Sequence, residues 1–186
     1  MGDSDLVRFG ASGSVSIADT STTLPTDEIA ALAAGFDNLG FISEEGATIG
    51  QSITKNKLKA WGNGVVRTSI TDSEFTVSFK CLETNTHVLE LWMGADNTGV
   101  SPKVVYAGKG QPDIIRKALV VDWAETIESE TYNFRLVLPR AELDSVADVT
   151  VNSNDPVEYE FTFTATADDS GNNRYLYTNE TDIGGS

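Results

Sequence analysis

Period-two alternation of apolar and polar residues constrains this chain more than any other feature, because it fits a half-buried strand and no helix. Phe75, Val77, Phe79 and Cys81 are separated by the polar Thr76, Ser78 and Lys80. Val157, Tyr159, Phe161, Phe163 and Ala165 alternate with Glu158, Glu160, Thr162 and Thr164. Tyr132, Phe134, Leu136 and Leu138 form a third such row, stopped by Pro139, which has no ladder donor. Around Ile115, Lys117, Leu119, Val121 and Trp123 the intervening Ile114, Ala118 and Val120 are apolar too, so that strand is expected to be covered on both faces. Shorter strands are expected at 14–18, 38–42, 57–61, 65–71 and 103–107, and an edge strand at Tyr175 and Tyr177. Eight or nine strands within 186 residues imply a mainly β, single-domain sandwich or barrel spanning 1–186.

One segment breaks the period. Over 84–93 Val88, Leu89, Trp92 and Met93 recur at helical spacing, with Thr84 or Asn85 to cap the start and Gly94 to stop it. A flanking helix is expected there, packing through Val88, Leu89 and Trp92. A weaker helical pattern covers 26–34, where Thr26 precedes Asp27, Glu28, Ile29, Ala30, Ala31 and Leu32 and Gly35 follows. That stretch reads equally well as a loop.

Charge and rare residues exclude several functions. Thirteen basic against twenty-eight acidic residues leave −15, which opposes the phosphate neutralisation that nucleic-acid binding demands. The charge sits at the ends: residues 1–45 carry eight acids and one base, 46–139 ten of each, and 140–186 ten acids and two bases. Cys81 and His87 are each the sole residue of their type, so no disulfide, two-histidine metal site or serine–histidine triad is available within one chain. The acidic first five residues contain no apolar run and no stretch reaches the 18 residues of a membrane span, so neither a secretory signal nor a membrane anchor is expected.

Candidate chemistry is sparse. Gly108-Lys109-Gly110 has Asp113 where a dinucleotide fingerprint needs glycine, and it reads as a turn. Asp168-Asp169-Ser170-Gly171-Asn172 is rich in oxygen ligands but lacks calcium-loop spacing. Asn179-Glu180-Thr181 fits a glycosylation acceptor only by pattern. Glu158 and Glu160, and likewise Glu128 and Glu130, are spaced to share a strand face. Such pairs can act as acid and base, yet they suit a solvated or acidic inter-subunit face as well. No cofactor is implied.

The segment 43–63 stands out instead. It is long, polar and poor in large apolar residues, and it ends in Lys55, Lys57 and Lys59, which on an extended strand project from one face. A long polar hairpin between core strands needs something to hold it. It is expected to be an interaction arm that docks on an acidic surface of another copy, with Glu44, Glu45, Asp144 or Asp148 of the neighbour among the acids available.

In order along the chain, Asn38-Leu39-Gly40-Phe41-Ile42-Ser43-Glu44-Glu45-Gly46, Lys59-Ala60-Trp61-Gly62, the strand–helix unit 75–93, residues 116–123, Leu138-Pro139-Arg140-Ala141-Glu142, residues 159–167, Gly171-Asn172 and Tyr175-Leu176-Tyr177 resemble the major tail tube proteins of long-tailed, non-contractile bacteriophages. The resemblance spans about 38–178 and leaves 1–37 unmatched. It implies a β-sandwich with a flanking helix that forms hexameric rings, stacked into a tube around a tape-measure protein, in the virion tail after assembly in the host cytoplasm. It also implies a loop at about 43–63 that reaches the neighbouring ring. DNA would pass through without specific binding, along a lumen where carboxylates such as Glu128, Glu130, Glu158 and Glu160 repel phosphate. The competing reading is a monomeric β-sandwich binding or adhesion module of a phage or cell surface.

Overall fold

Alternation becomes one curled antiparallel sheet. A computed structural model of the chain describes residues 7–62, 64–100 and 102–180. Its strands are β1 (Ser12–Ala18), β2 (Asp37–Asn38), β3 (Ile42–Ala60), β4 (Gly64–Cys81), β5 (Arg116–Ile127), β6 (Glu130–Val146), β7 (Tyr159–Thr166) and β8 (Tyr175–Thr178), with helix α1 (Thr86–Met93) between β4 and β5. Spatial order is β2-β1-β5-β6-β7-β4-β3, and β8 pairs with β6 beside β7. The sheet curls on itself, so the inward residues of β1, β5 and β6 meet those of β4 and β7 in one core. Phe79 stacks on Phe163 at 5.9 Å and tilts against Phe161 at 6.1 Å. Cys81 lies fully buried there, and burial pushes its thiol up to about 12, which removes it from thiolate chemistry. No helix among the described residues is long and apolar enough to cross a membrane.

Strand β5 is covered on both faces, as its continuous apolar run implies. Leu119 and Val121 enter the core, while Ala118 and Val120 are buried on the opposite side beside Val137 of β6. Residues 19–36 form a strap held at that second face by Arg135. The Arg135 side chain is only 7% exposed, and its guanidinium grips Asp122 with two hydrogen bonds, from Nε to Oδ1 at 2.7 Å and from Nη2 to Oδ2 at 3.2 Å. Its Nη1 donates to the carbonyls of Asp27 at 3.1 Å and Ala30 at 2.8 Å. Both carbonyls point at Arg135, and no helix forms over 26–34. Asp27 instead closes a turn, accepting from the Ile29 and Ala30 amides.

Helix α1 is bounded by its caps. Asn85 accepts from the Val88 amide at 3.0 Å, and Gly94 adopts a left-handed φ of 60°. Asn85 also donates to the carbonyl of the fully buried Leu39, tying the helix start to the chain entering β3. The buried stripe is Val88 and Leu91. Leu89 packs partly against the core, whereas Trp92 is 39% exposed, its ring meeting Tyr159 edge-on at 5.5 Å. The expected packing face thus rotates: Leu91, not Trp92, is its second buried residue.

Other boundaries shift for local reasons. The strand expected over 38–42 breaks at Gly40, whose φ of 86° turns the chain out of β2 before β3 begins. Residues 103–107 give no strand, only an isolated bridge from Asn97 to Tyr106. Asp168 closes a tight turn, accepting from the Ser170 and Asn172 amides and from the Tyr175 hydroxyl, which hold its carboxyl below the usual carboxylate value. Tyr175 and Tyr177 stack in β8, the expected edge strand. Of the last eight residues, Asn179 bonds to the backbone of Thr131 and Asn133, and Glu180 is buried in an ion pair with Arg8. The others, 181–186, lie outside the described residues, as does the acidic start at 1–6.

Candidate interaction arm and groove

Strands β3 and β4 are 19 and 18 residues long, yet β7 pairs with β4 only from Thr76 to Cys81. Beyond Gly50, the partner of Thr76, they continue as a two-stranded ribbon to the Ala60–Gly64 pair. At about 3.3 Å per residue the ribbon extends about 33 Å from the body. Every described residue from 51 to 59 and from 64 to 74 is exposed. The segment read as a polar hairpin loop at 43–63 is therefore the first strand of a regular arm. The short strands expected at 57–61 and 65–71 are its far end.

The ladder sets which side chains share a face. On β3, Ile49, Ile53, Lys55, Lys57 and Lys59 lie on one side, directly across from Val77, Ser73, Ile70, Thr68 and Val65 of β4. Single extra residues on β4, at Thr71 and Val66, keep this register across two bulges. This face continues the row that is buried lower down as Phe75, Val77 and Phe79. It leaves the core still carrying apolar side chains and adds three lysines. The other face pairs Ser52 with Glu74, Thr54 with Asp72 and Leu58 with Arg67. None of the three lysines has an ion-pair or hydrogen-bond partner among the described residues. At the tip Trp61 is fully exposed.

An arm with Ile53, Leu58, Trp61, Val65, Val66 and Ile70 exposed presents more apolar surface than a monomer ordinarily leaves in water. Two strands without further cover are also marginal on their own.

At the arm base the ladder is interrupted. Ile42 pairs with Cys81 and Ala47 with Phe79, so residues 43–46 bulge out opposite the lone Lys80. Gly46 permits this with a φ of 69°. The bulge lifts Glu44 and Glu45 outward, and Lys80 donates to Glu45 at 2.7 Å, leaving Glu44 without a partner among the described residues. Between this bulge and β1 lies a groove of about 520 Å³, with Val15, Ile49, Val121 and Trp123 among its walls and Glu44 and Glu45 on one side. Strand β1 pairs with β2 only at Ser16 and Ile17, so its stretch at Ser12–Ser14 presents an open edge, as does the outer side of β3. The Ser43 hydroxyl in this wall is buried without a hydrogen-bond partner.

The remaining acids expected to form an inter-subunit or lumen face are placed apart. Glu160 lies on the outward side of β7 across from Lys80, with Glu158 just before the strand. Glu130 begins β6 at its opposite end, and Glu128 sits in the β5–β6 turn with a φ of 56°, off the strand face assumed for it. The two pairs do not make one patch. His87 stands 3.7 Å from Asp37 and 3.9 Å from Glu90. Among the described residues no group of three or more His, Cys, Asp and Glu is placed to hold a metal ion.

Residues 1–183 match the sequence model of a family described as phage tail tube protein. No curated protein matches the chain.

Proposed function

Because the chain belongs to the phage tail tube protein family, whose members are structural, non-enzymatic components of the virion tail, we propose that six copies close into a ring and that rings stack through the β3–β4 arm into a tube conducting DNA. Self-assembly with other tail proteins is the family's role; the six-fold ring, the stacking arm and the tape-measure protein inside the tube are the finer reading. The observation that carries it is the arm itself: a ribbon of about 33 Å that leaves the core face with exposed apolar residues and three lysines unpaired among the described residues. Its chemistry suits burial against another copy better than water. The net charge of −15 fits the same use, since a carboxylate-rich wall offers phosphate no counterion and lets DNA slide. Glu158, Glu160, Glu128 and Glu130 are the acids proposed for that wall or for contacts between subunits.

Sedimentation of the concentrated protein with negative-stain imaging tests this reading. Rings of six and tubes built from them are expected, growing with protein concentration. A monomer at all concentrations, or rings of another order, contradicts it.

A further inference from the structure

We propose that the groove between β1 and the base of β3 is the receptor for the arm of a second copy, so that each arm tip seats at the root of the next copy's arm. This rests on the stacking role of the arm and adds where the arm lands. Charge favours it: among the described residues Lys55, Lys57 and Lys59 of the arm have no partners, and the groove offers Glu44, likewise unpaired, beside Glu45, held by an exposed pair with Lys80. Shape favours it too. The exposed Trp61 leads the arm, and a groove of about 520 Å³ walled by Val15, Ile49 and Trp123 is large enough to take an indole. The open edge of β1 offers backbone groups to an incoming strand.

Donor and receptor sit at opposite ends of the same ribbon, about 33 Å apart along β3. An arm cannot fold back into the groove at its own root. It can reach only another copy, and that copy's arm then stands displaced in the same direction. With successive copies in one orientation, such a head-to-tail contact repeats from copy to copy instead of pairing two arms reciprocally. Repeated in one orientation, the contact builds a tube rather than a dimer of rings.

The test uses the full chain with three charge variants and one cysteine pair. Lys55→Glu/Lys57→Glu/Lys59→Glu and, separately, Glu44→Lys/Glu45→Lys should each raise the concentration needed for tube growth by about tenfold or more, and combining them should restore growth. Ala60→Cys/Ser12→Cys, which keeps Trp61 and is oxidised after assembly, should give a ladder of cross-linked chains, with the buried Cys81 inert and each single cysteine giving none. Growth lost with the arm variant but unchanged with the groove variant, together with no ladder in formed tubes, means the arm docks elsewhere and overturns the groove alone. Normal growth of the arm variant overturns the stacking arm itself. A cross-linked closed dimer in place of a ladder overturns head-to-tail propagation.

Discussion

Arg135→Met is expected to destabilise the free subunit by about 3 kcal/mol and to lower its melting temperature by about 6–12 °C. Arg135 holds Asp122 and two strap carbonyls together, and its side chain is 7% exposed. Removing it strands a carboxylate and two carbonyls against an apolar face. The effect falls at the lower end for a broken buried pair because 27% of the Asp122 side chain still reaches water. Arg135→Met combined with Asp122→Leu should recover most of the Asp122 part of the loss, leaving the strap carbonyls as the remainder. Melting curves of the two variants separate these contributions. A shift below about 2 °C for Arg135→Met would mean that the strap is held by packing alone.

Removing the arm should have the opposite pattern: little effect on the fold and complete loss of tubes. Ser52 pairs with Glu74, so replacing residues 53–73 by Asn-Gly joins paired positions through a two-residue turn suited to an antiparallel hairpin. Every described residue excised is exposed except the half-buried Ala60 at the far end of β3. The truncated subunit should melt within a few degrees of the full chain and, if rings form, leave them unstacked. A large fall in melting temperature would show that the ribbon supports the body. Tubes of ordinary length would show that stacking uses another surface.

How much of this the sequence carries depends on where burial is. Strands β1, β4, β5, β6 and β7 are legible wherever they line the core, because one wet face and one dry face write a period of two into the chain. The ribbon has water on both faces, so β3 between Ser43 and Lys59 carries only Ala47, Ile49 and Ile53 as a broken apolar row, and the three alternating lysines mark its far part as extended. The length of the arm, and the joining of 65–71 with 75–81 into one strand, follow from pairing that no local signal records. Helix α1 is readable from Asn85 and Gly94, but Val88 with Leu91 and Val88 with Trp92 are both plausible helical spacings. The choice falls to Leu91 in the curled sheet, with Tyr159 meeting Trp92 at the rim. Residues 26–34 carry helix-start signals that lose to Arg135, more than a hundred positions away. The groove was not legible at all: a four-residue bulge and an open strand edge create it, and neither has a hydrophobic signature.

A cryo-electron microscopy reconstruction of tubes grown from the purified full-length chain tests stacking through the arm most directly. The expected map has rings of six, with β3 and β4 crossing each ring boundary as one continuous ribbon and Lys55, Lys57 and Lys59 against acidic residues of the next ring. A map in which the ribbon stays within its own ring, or points into solvent while rings stack by other surfaces, contradicts it.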